Sequence, residues 1–240
     1  MRNKTKSFKT YYTEVLIMIK KVLLIFVLIL VVAGGILLFS PTKAENSQRI
    51  FTSKEIENLK EISLDGDFDV NITASDSKDI KCSFSKVQKG FILGAYNFES
   101  GIENDVLNVT SSSKIGTVCF GGYEGLSLNI DIPKSYKNKI SIRSKLSKIK
   151  ITNSSSKNIQ CDVHDSDIKI SLNNICGNIT VNSNLGNINL KLPKDEKFNL
   201  SAKSHMGKVT NDLDSNVDHS LKEKNINLLS SDGDINISEN

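Results

Sequence analysis

The sequence predicts an all-β chain: a single-stranded β-solenoid of about 20 residues per rung, preceded by one N-terminal transmembrane helix. Three observations point there. Apolar residues alternate in short bursts, the bursts recur at a fixed period, and a charge-free apolar run stands near the start of the chain.

The period is clearest from Ser135 to Leu192, which reads as three copies. Each copy opens on one alternation (Ile140/Ile142, Ile159/Cys161/Val163, Ile179/Val181) and adds a second nine residues later (Ile149/Ile151, Ile168/Ile170, Ile188/Leu190). Both sets step by 19 and then 20 residues; the first continues to Phe198 and the second drifts by 21 to Val209. An I-x-I alternation puts apolar side chains on one face of a strand and polar ones on the other. Strands this short cannot bury that face alone, but stacked copies cover one another. Before each second alternation stands a small or turn-forming pair (Ser147-Lys148, Ser166-Asp167, Gly186-Asn187, Gly207-Lys208), as a sharp corner requires. The column Ile140, Ile159, Ile179, Phe198 is the expected main stabiliser. The alternative fold is an antiparallel β meander or sandwich, with each nine-residue unit a hairpin and Leu185-Gly186-Asn187 a turn.

Taken in order, residues 1–21 form a basic segment with Arg2, Lys4, Lys6, Lys9, Lys20 and Lys21 against Glu14 alone. Val22–Phe39 then runs eighteen residues without a charge, near the lower limit for a bilayer span. Positive charge ahead of the span predicts a cytoplasmic N-terminus and a C-terminal domain outside a cell membrane. Two alternatives stay open: cleavage after Ala44, and a start at Met18 rather than Met1. Residues 40–60 read as a linker, with a helical look from Ser47 to Leu59.

Residues 61–240 form the repeat domain. Residues 45–240 carry 24 basic against 26 acidic residues, so the whole-chain surplus of +4 belongs to the anchor segment, and nucleic-acid binding is excluded. Within the repeat domain, 85–125 breaks the pattern, with seven glycines and five of the fifteen aromatic residues. That predicts a long loop or hairpin covering one end of the stack. Phe91, Tyr96, Phe98, Phe120 and Tyr123 are the candidate interaction surface there, since aromatics on loops carry recognition. The alternation resumes at Leu126, and Ile226 and Ile235 recover the nine-residue offset near the C-terminus.

Chemistry is sparse. His164, His205 and His219 fall at unrelated repeat positions, and no nucleophile, metal or phosphate motif is present, so neither enzyme activity nor a cofactor is expected. The Asp groups (Asp65/Asp67/Asp69, Asp165/Asp167, Asp232/Asp234) sit beside corners, where Asp caps turns. Cys82 and Cys161 share the parity of core residues; the disulfide state of these and of Cys119 and Cys176 is left open. The outward positions form a polar ladder at strand spacing.

The motifs I-D-I-P at Ile130–Pro133, Ile140–Ile142, Gly177–Val181, Gly186–Leu190, Phe198–Val209 and Gly233–Ile237 together resemble the bacterial putative-adhesin family, related to toast-rack domains of envelope-stress systems. The resemblance covers about Ile62 to Ile237 and departs at 85–125 and in glycine-poor early corners. It implies a single-layer β-solenoid outside the membrane, with no established catalytic residues. The expected function is a membrane-anchored extracytoplasmic module for protein interaction or scaffolding in the cell-envelope stress response. Its partners would be the membrane through the anchor, and a membrane protein or a second copy. The alternative is an adhesin-like surface module binding wall polymer or glycan.

Overall fold

The computed structural model describes residues 2–39, 42–93, 97–112 and 118–240, the side chains of 2–13, 33, 36–39, 91–93 and 118–122 excepted. Among the described residues one α-helix, α1 (Arg2–Phe39), precedes fifteen strands. Thirty-eight residues make a helix of about 57 Å, longer than the ~30 Å hydrocarbon layer, so the basic first turns extend beyond a span. Its stretch Glu14–Val32 is long and apolar enough to cross a membrane, and none of it is buried.

The strands stack parallel and in register. In the central rungs, β8 (Lys139–Thr152) pairs with β9 (Asn158–Ser171) along nearly its whole length, with Ile140 opposite Ile159 and Ile149 opposite Ile168. Each long strand bends at the corner Ser144–Ser147 or Val163–Ser166 and so serves two faces. The next rung splits into β10 (Asn178–Leu185) and β11 (Ile188–Leu192), which place Ile179 on Ile159 and Ile188 on Ile168. Parallel pairing here excludes the hairpin meander. The inward row of each face is buried and merges into one core.

Chain order and spatial order part at both ends. β2 (Glu61–Asp65) and β3 (Asp69–Ser75) lie directly on β8. The later β6 (Val106–Ser112) and β7 (Val118–Pro133) stack outside them. At the other end, β14 (Asn225–Asp232) and β15 (Ile235–Glu239) insert between the β10/β11 rung and the earlier β12 (Asn199–Ser204) and β13 (Val209–Asn211). The column expected to continue from Ile179 to Phe198 therefore continues to Ile226, and the residue beyond is Leu200. Phe198 is fully buried but bridges Val217 instead. The displacement has a simple cause: an I-x-I strand matches any rung of this stack, so spacing alone cannot choose its neighbour.

The N-terminal end is closed by antiparallel strands. β4 (Ile80–Leu93) pairs antiparallel with β7, and β5 (Asn97–Glu103) with β6. Segment 85–125, expected as an irregular loop or hairpin, is thus mostly ladder over its described residues. Asn104 and Asp105, both with positive φ, make the tight β5–β6 turn. The expected linker 40–60 is likewise corrected. β1 (Lys43–Phe51) pairs antiparallel with β4 from Lys43–Gln88 to Phe51–Ile80, because the free edge of β4 offers a backbone ladder to the segment leaving the helix. Only Phe51 of this strand is buried.

One corner is built like a column of small residues. A Cβ on Gly186 would stand 2.3 Å from the Ser166 carbonyl oxygen, and one on Gly233 2.1 Å from that of Gly186. Gly186 also takes φ +102, which side-chain-bearing residues rarely adopt. In the earlier rungs the position holds Ser147 and Ser166, whose hydroxyls meet at 3.2 Å. Next to this column runs a second hydrogen-bonded one. The Asn187 N–H donates to Asp167 Oδ1 (2.9 Å), the Asp234 N–H to Asn187 Oδ1 (2.9 Å), and the Lys208 N–H to Asp234 Oδ1 (2.8 Å). Backbone bonds return the other way, Ile168 N–H to the Asn187 carbonyl and Ile188 N–H to that of Asp234. Each Asp or Asn oxygen so accepts where the bending backbone has withdrawn its own carbonyl.

Candidate functional site

Of the aspartates singled out beside the corners, Asp67, Asp69, Asp167 and Asp234 each spend an oxygen on this capping. Asp67 Oδ1 accepts from the Lys145 N–H (2.7 Å) and the Leu146 N–H (3.2 Å), and Asp69 Oδ1 from the Lys148 N–H (2.8 Å). Among the described residues no group of three or more His, Cys, Asp or Glu side chains could hold a metal ion. His205 faces the Ser230 carbonyl and His219 the Asn199 side chain.

The cysteines follow their parity. Cys161 stands opposite Val181, and both Cys82 and Cys161 are fully buried. Burial pushes the thiol of each up to about 12, against an ordinary value near 9. Cys82, Cys161 and Cys176 are free thiols, while the Cys119 side chain lies outside the described residues. Thiols held protonated in a core are poor nucleophiles and poor ligands.

The five aromatic candidates separate. Phe98 closes the end of the core: its ring packs 5.3 Å from Phe68, edge to face, and 4.8 Å from Phe84. Phe91 and Phe120 are register partners on the two-stranded ribbon that β4 and β7 form beyond the stack. Their side chains, and all of Tyr96, lie outside the described residues. Tyr123, at the same ribbon, is 55% exposed.

A groove of about 570 Å³ opens where this ribbon passes the corner of the first rungs. Its lining joins Leu126 and Leu146 to Asp67, Asp69, Glu124 and Asp165. Leu146 is 64% exposed, an unusual position for a leucine beside an otherwise polar corner. The Glu124 side chain is only 5% exposed; Gln88 Nε2 donates to it at 2.9 Å, and Lys86 Nζ lies 3.8 Å away. Sequence reasoning missed the groove because it needs β7 to lie against β3, a contact between residues far apart in the chain. The signal available was Leu146, an apolar residue in the corner between the alternation that ends near Ile142 and the one that restarts at Ile149. Elsewhere the outer faces are polar ladders, with Asn71 donating to Asn129 (3.0 Å) and Asn236 to Asn189 (3.3 Å).

The family model described as Toastrack DUF4097 matches residues 59–191. A crystal structure of a putative cell adhesion protein from Clostridium sporogenes superposes with a TM-score of 0.61 at 17% identity, covering 82% of this chain and all of the other. At that identity the likeness concerns the fold. Crystal structures of a putative adhesin from Parabacteroides merdae and of one from Bacteroides fragilis match with TM-scores of 0.29 and 0.27, at 13% and 11% identity. They cover 81% and 82% of this chain, and 78% and 97% of their own. No curated protein shows significant similarity to the chain.

Proposed function

Since the chain belongs to the Toastrack DUF4097 family, we propose that it is a non-catalytic β-repeat module, anchored by α1 in a cell membrane, that presents a rigid extracytoplasmic surface to other proteins. The carrying observation is the direct join of an exposed, membrane-length apolar helix to an edge strand of the stack, with β1 starting four residues after α1 ends. Four residues span at most about 14 Å when extended, so the start of β1 stays near the end of the helix. The corner groove is the surface best suited to a partner. Its acidic rim and exposed Leu146 fit a segment carrying basic residues beside an apolar anchor. A role in the cell-envelope stress response belongs to this reading.

The second reading is an adhesin-like module for wall polymer, favoured by one observation. Lys150 and Lys169 stand side by side, exposed, on an outer face, where they could meet an anionic polymer.

The test is capture from solubilised native envelope with the tagged full chain and its Leu146→Asp variant. Recovery of one membrane protein, lost with Leu146→Asp, is expected. Recovery of wall glycan alone, indifferent to Leu146→Asp and lost on Lys150→Glu, transfers the assignment to the second reading.

A further inference from the structure

Resting on the reading of the corner groove as a partner surface, we propose that the groove receives a lysine side chain of a partner segment, and that Glu124 is the residue that meets its ammonium.

The position of Glu124 follows from its strand. Glu124 and Leu126 stand two residues apart on β7 and so share one face, the face that Leu128 and Ile130 bury in the core. Glu124 continues that inward row beyond the last buried leucine, and its side chain is only 5% exposed although it carries a charge. Its oxygen Oε1 accepts from Gln88 Nε2 at 2.9 Å and lies 3.8 Å from Lys86 Nζ. Its other oxygen, Oε2, is buried and has no hydrogen-bond partner among the described residues. Lys86 does not make up the deficit, because its ammonium also lies 3.9 Å from Glu45 and serves two carboxylates. A buried carboxylate oxygen without a donor is costly, and a donor arriving from outside removes that cost on binding.

The lining sets the sign and shape of what enters. Glu124 shares the groove with four aspartates against Lys148 alone, so the ligand is a cation. A bare divalent ion does not suit the groove, since among the described residues no three such side chains converge as ligands. A guanidinium binds a carboxylate best through both oxygens at once, and here Oε1 is already engaged. A compact ammonium needs only the single oxygen. Its other donors can turn to the rim, where Asp67, Asp69 and Asp167 bond only through Oδ1 among the described residues. The apolar stem of a lysine can lie along Leu126 and Leu146, which line the same groove.

The test pans the full-length chain in detergent micelles against a displayed library of short random peptides. Selected peptides are resynthesised with lysine, acetyl-lysine or arginine at each basic position. Binding is measured to the unsubstituted chain, to Leu146→Asp and to Glu124→Gln, which keeps an acceptor for Gln88 and loses the charge. Both variants are first shown to melt like the unsubstituted chain. The acetyl-lysine peptide probes the same contact without altering the protein, and it decides the matter if Glu124→Gln does not fold. The expected result is selection of lysine near an apolar residue, with binding weakened about tenfold or more by acetylation and by Glu124→Gln, and lost with Leu146→Asp. Binding that needs Leu146 but ignores acetylation or a folded Glu124→Gln, or that is as tight with arginine, overturns the lysine seat and leaves the groove a partner surface. Binding indifferent to Leu146→Asp, or no selected peptide, overturns both.

Discussion

Ile179 shows how single residues hold this fold. It lies 2% exposed between Ile159 and Ile226, with one apolar neighbour from each adjoining rung. Ile179→Asp would bury a charge with no partner, and a loss of several kcal/mol is expected from chemical denaturation. Asn187→Ala is a milder probe. It removes the acceptor of the Asp234 N–H near the surface, where water can partly replace it, so about 0.5–1.5 kcal/mol should be lost. The thiols give a pH dependence. Cys82 and Cys161 keep their protons to about 12 when folded, whereas the unfolded chain releases them near 9. The folded state alone retains the protons, so this contribution is fully present below pH 9 and is lost as pH rises toward 12. The melting temperature should fall across that window, and Cys161→Val should make the fall shallower.

At the scale of elements, the order of the rungs carries the sharpest consequence. In a stack built in chain order, cutting at residue 224 would trim only the last rung. Here β14 and β15 are the only strands joining β12 and β13 to the rest of the stack among the described residues. A chain ending at Lys224 should therefore lose protection in 199–211 as well as in the deleted rung, as hydrogen exchange would register. If residues 199–211 of that chain stay protected, β12 and β13 have another partner and the order is wrong.

Much of this level was legible in the sequence. Ile140, Ile159 and Ile179 announced a column because their 19- and 20-residue steps match one circuit of a rung. Asp167 and Asn187 announced a corner because both side chains can stand in for a carbonyl. The transposition was not legible, since the apolar pattern of Ile226–Leu228 fits the neighbour of Ile179 no differently from Leu200–Ala202. Segment 85–125 misled because Phe91, Phe98, Phe120 and Tyr123 follow the antiparallel β4/β7 and β5/β6 ladders, whose register ignores the 20-residue period. Of the five candidate aromatics, Tyr123 stands exposed on the ribbon, whereas Phe98 packs against Phe68 and Phe84 at the end of the core. The groove stayed hidden because Glu124 and Leu126 reach the rim beside Leu146 only through the β3–β7 pairing.

For the whole molecule, the basic first half of α1, its apolar second half and a near-neutral β domain divide the chain into the parts of a single-pass membrane protein. The same division explains why the net charge of +4 says little about ligands: it is concentrated in the N-terminal segment and not in the β domain. The most direct test of the central claim uses intact cells of a Gram-positive host stripped of their wall and carrying the full chain with a C-terminal epitope. The account predicts that external protease removes the epitope without cell lysis, and that the undigested protein stays in the membrane fraction after alkaline carbonate. An epitope protected until lysis would contradict the orientation. Release of a fragment beginning after Ala44 into the medium would contradict the anchored state.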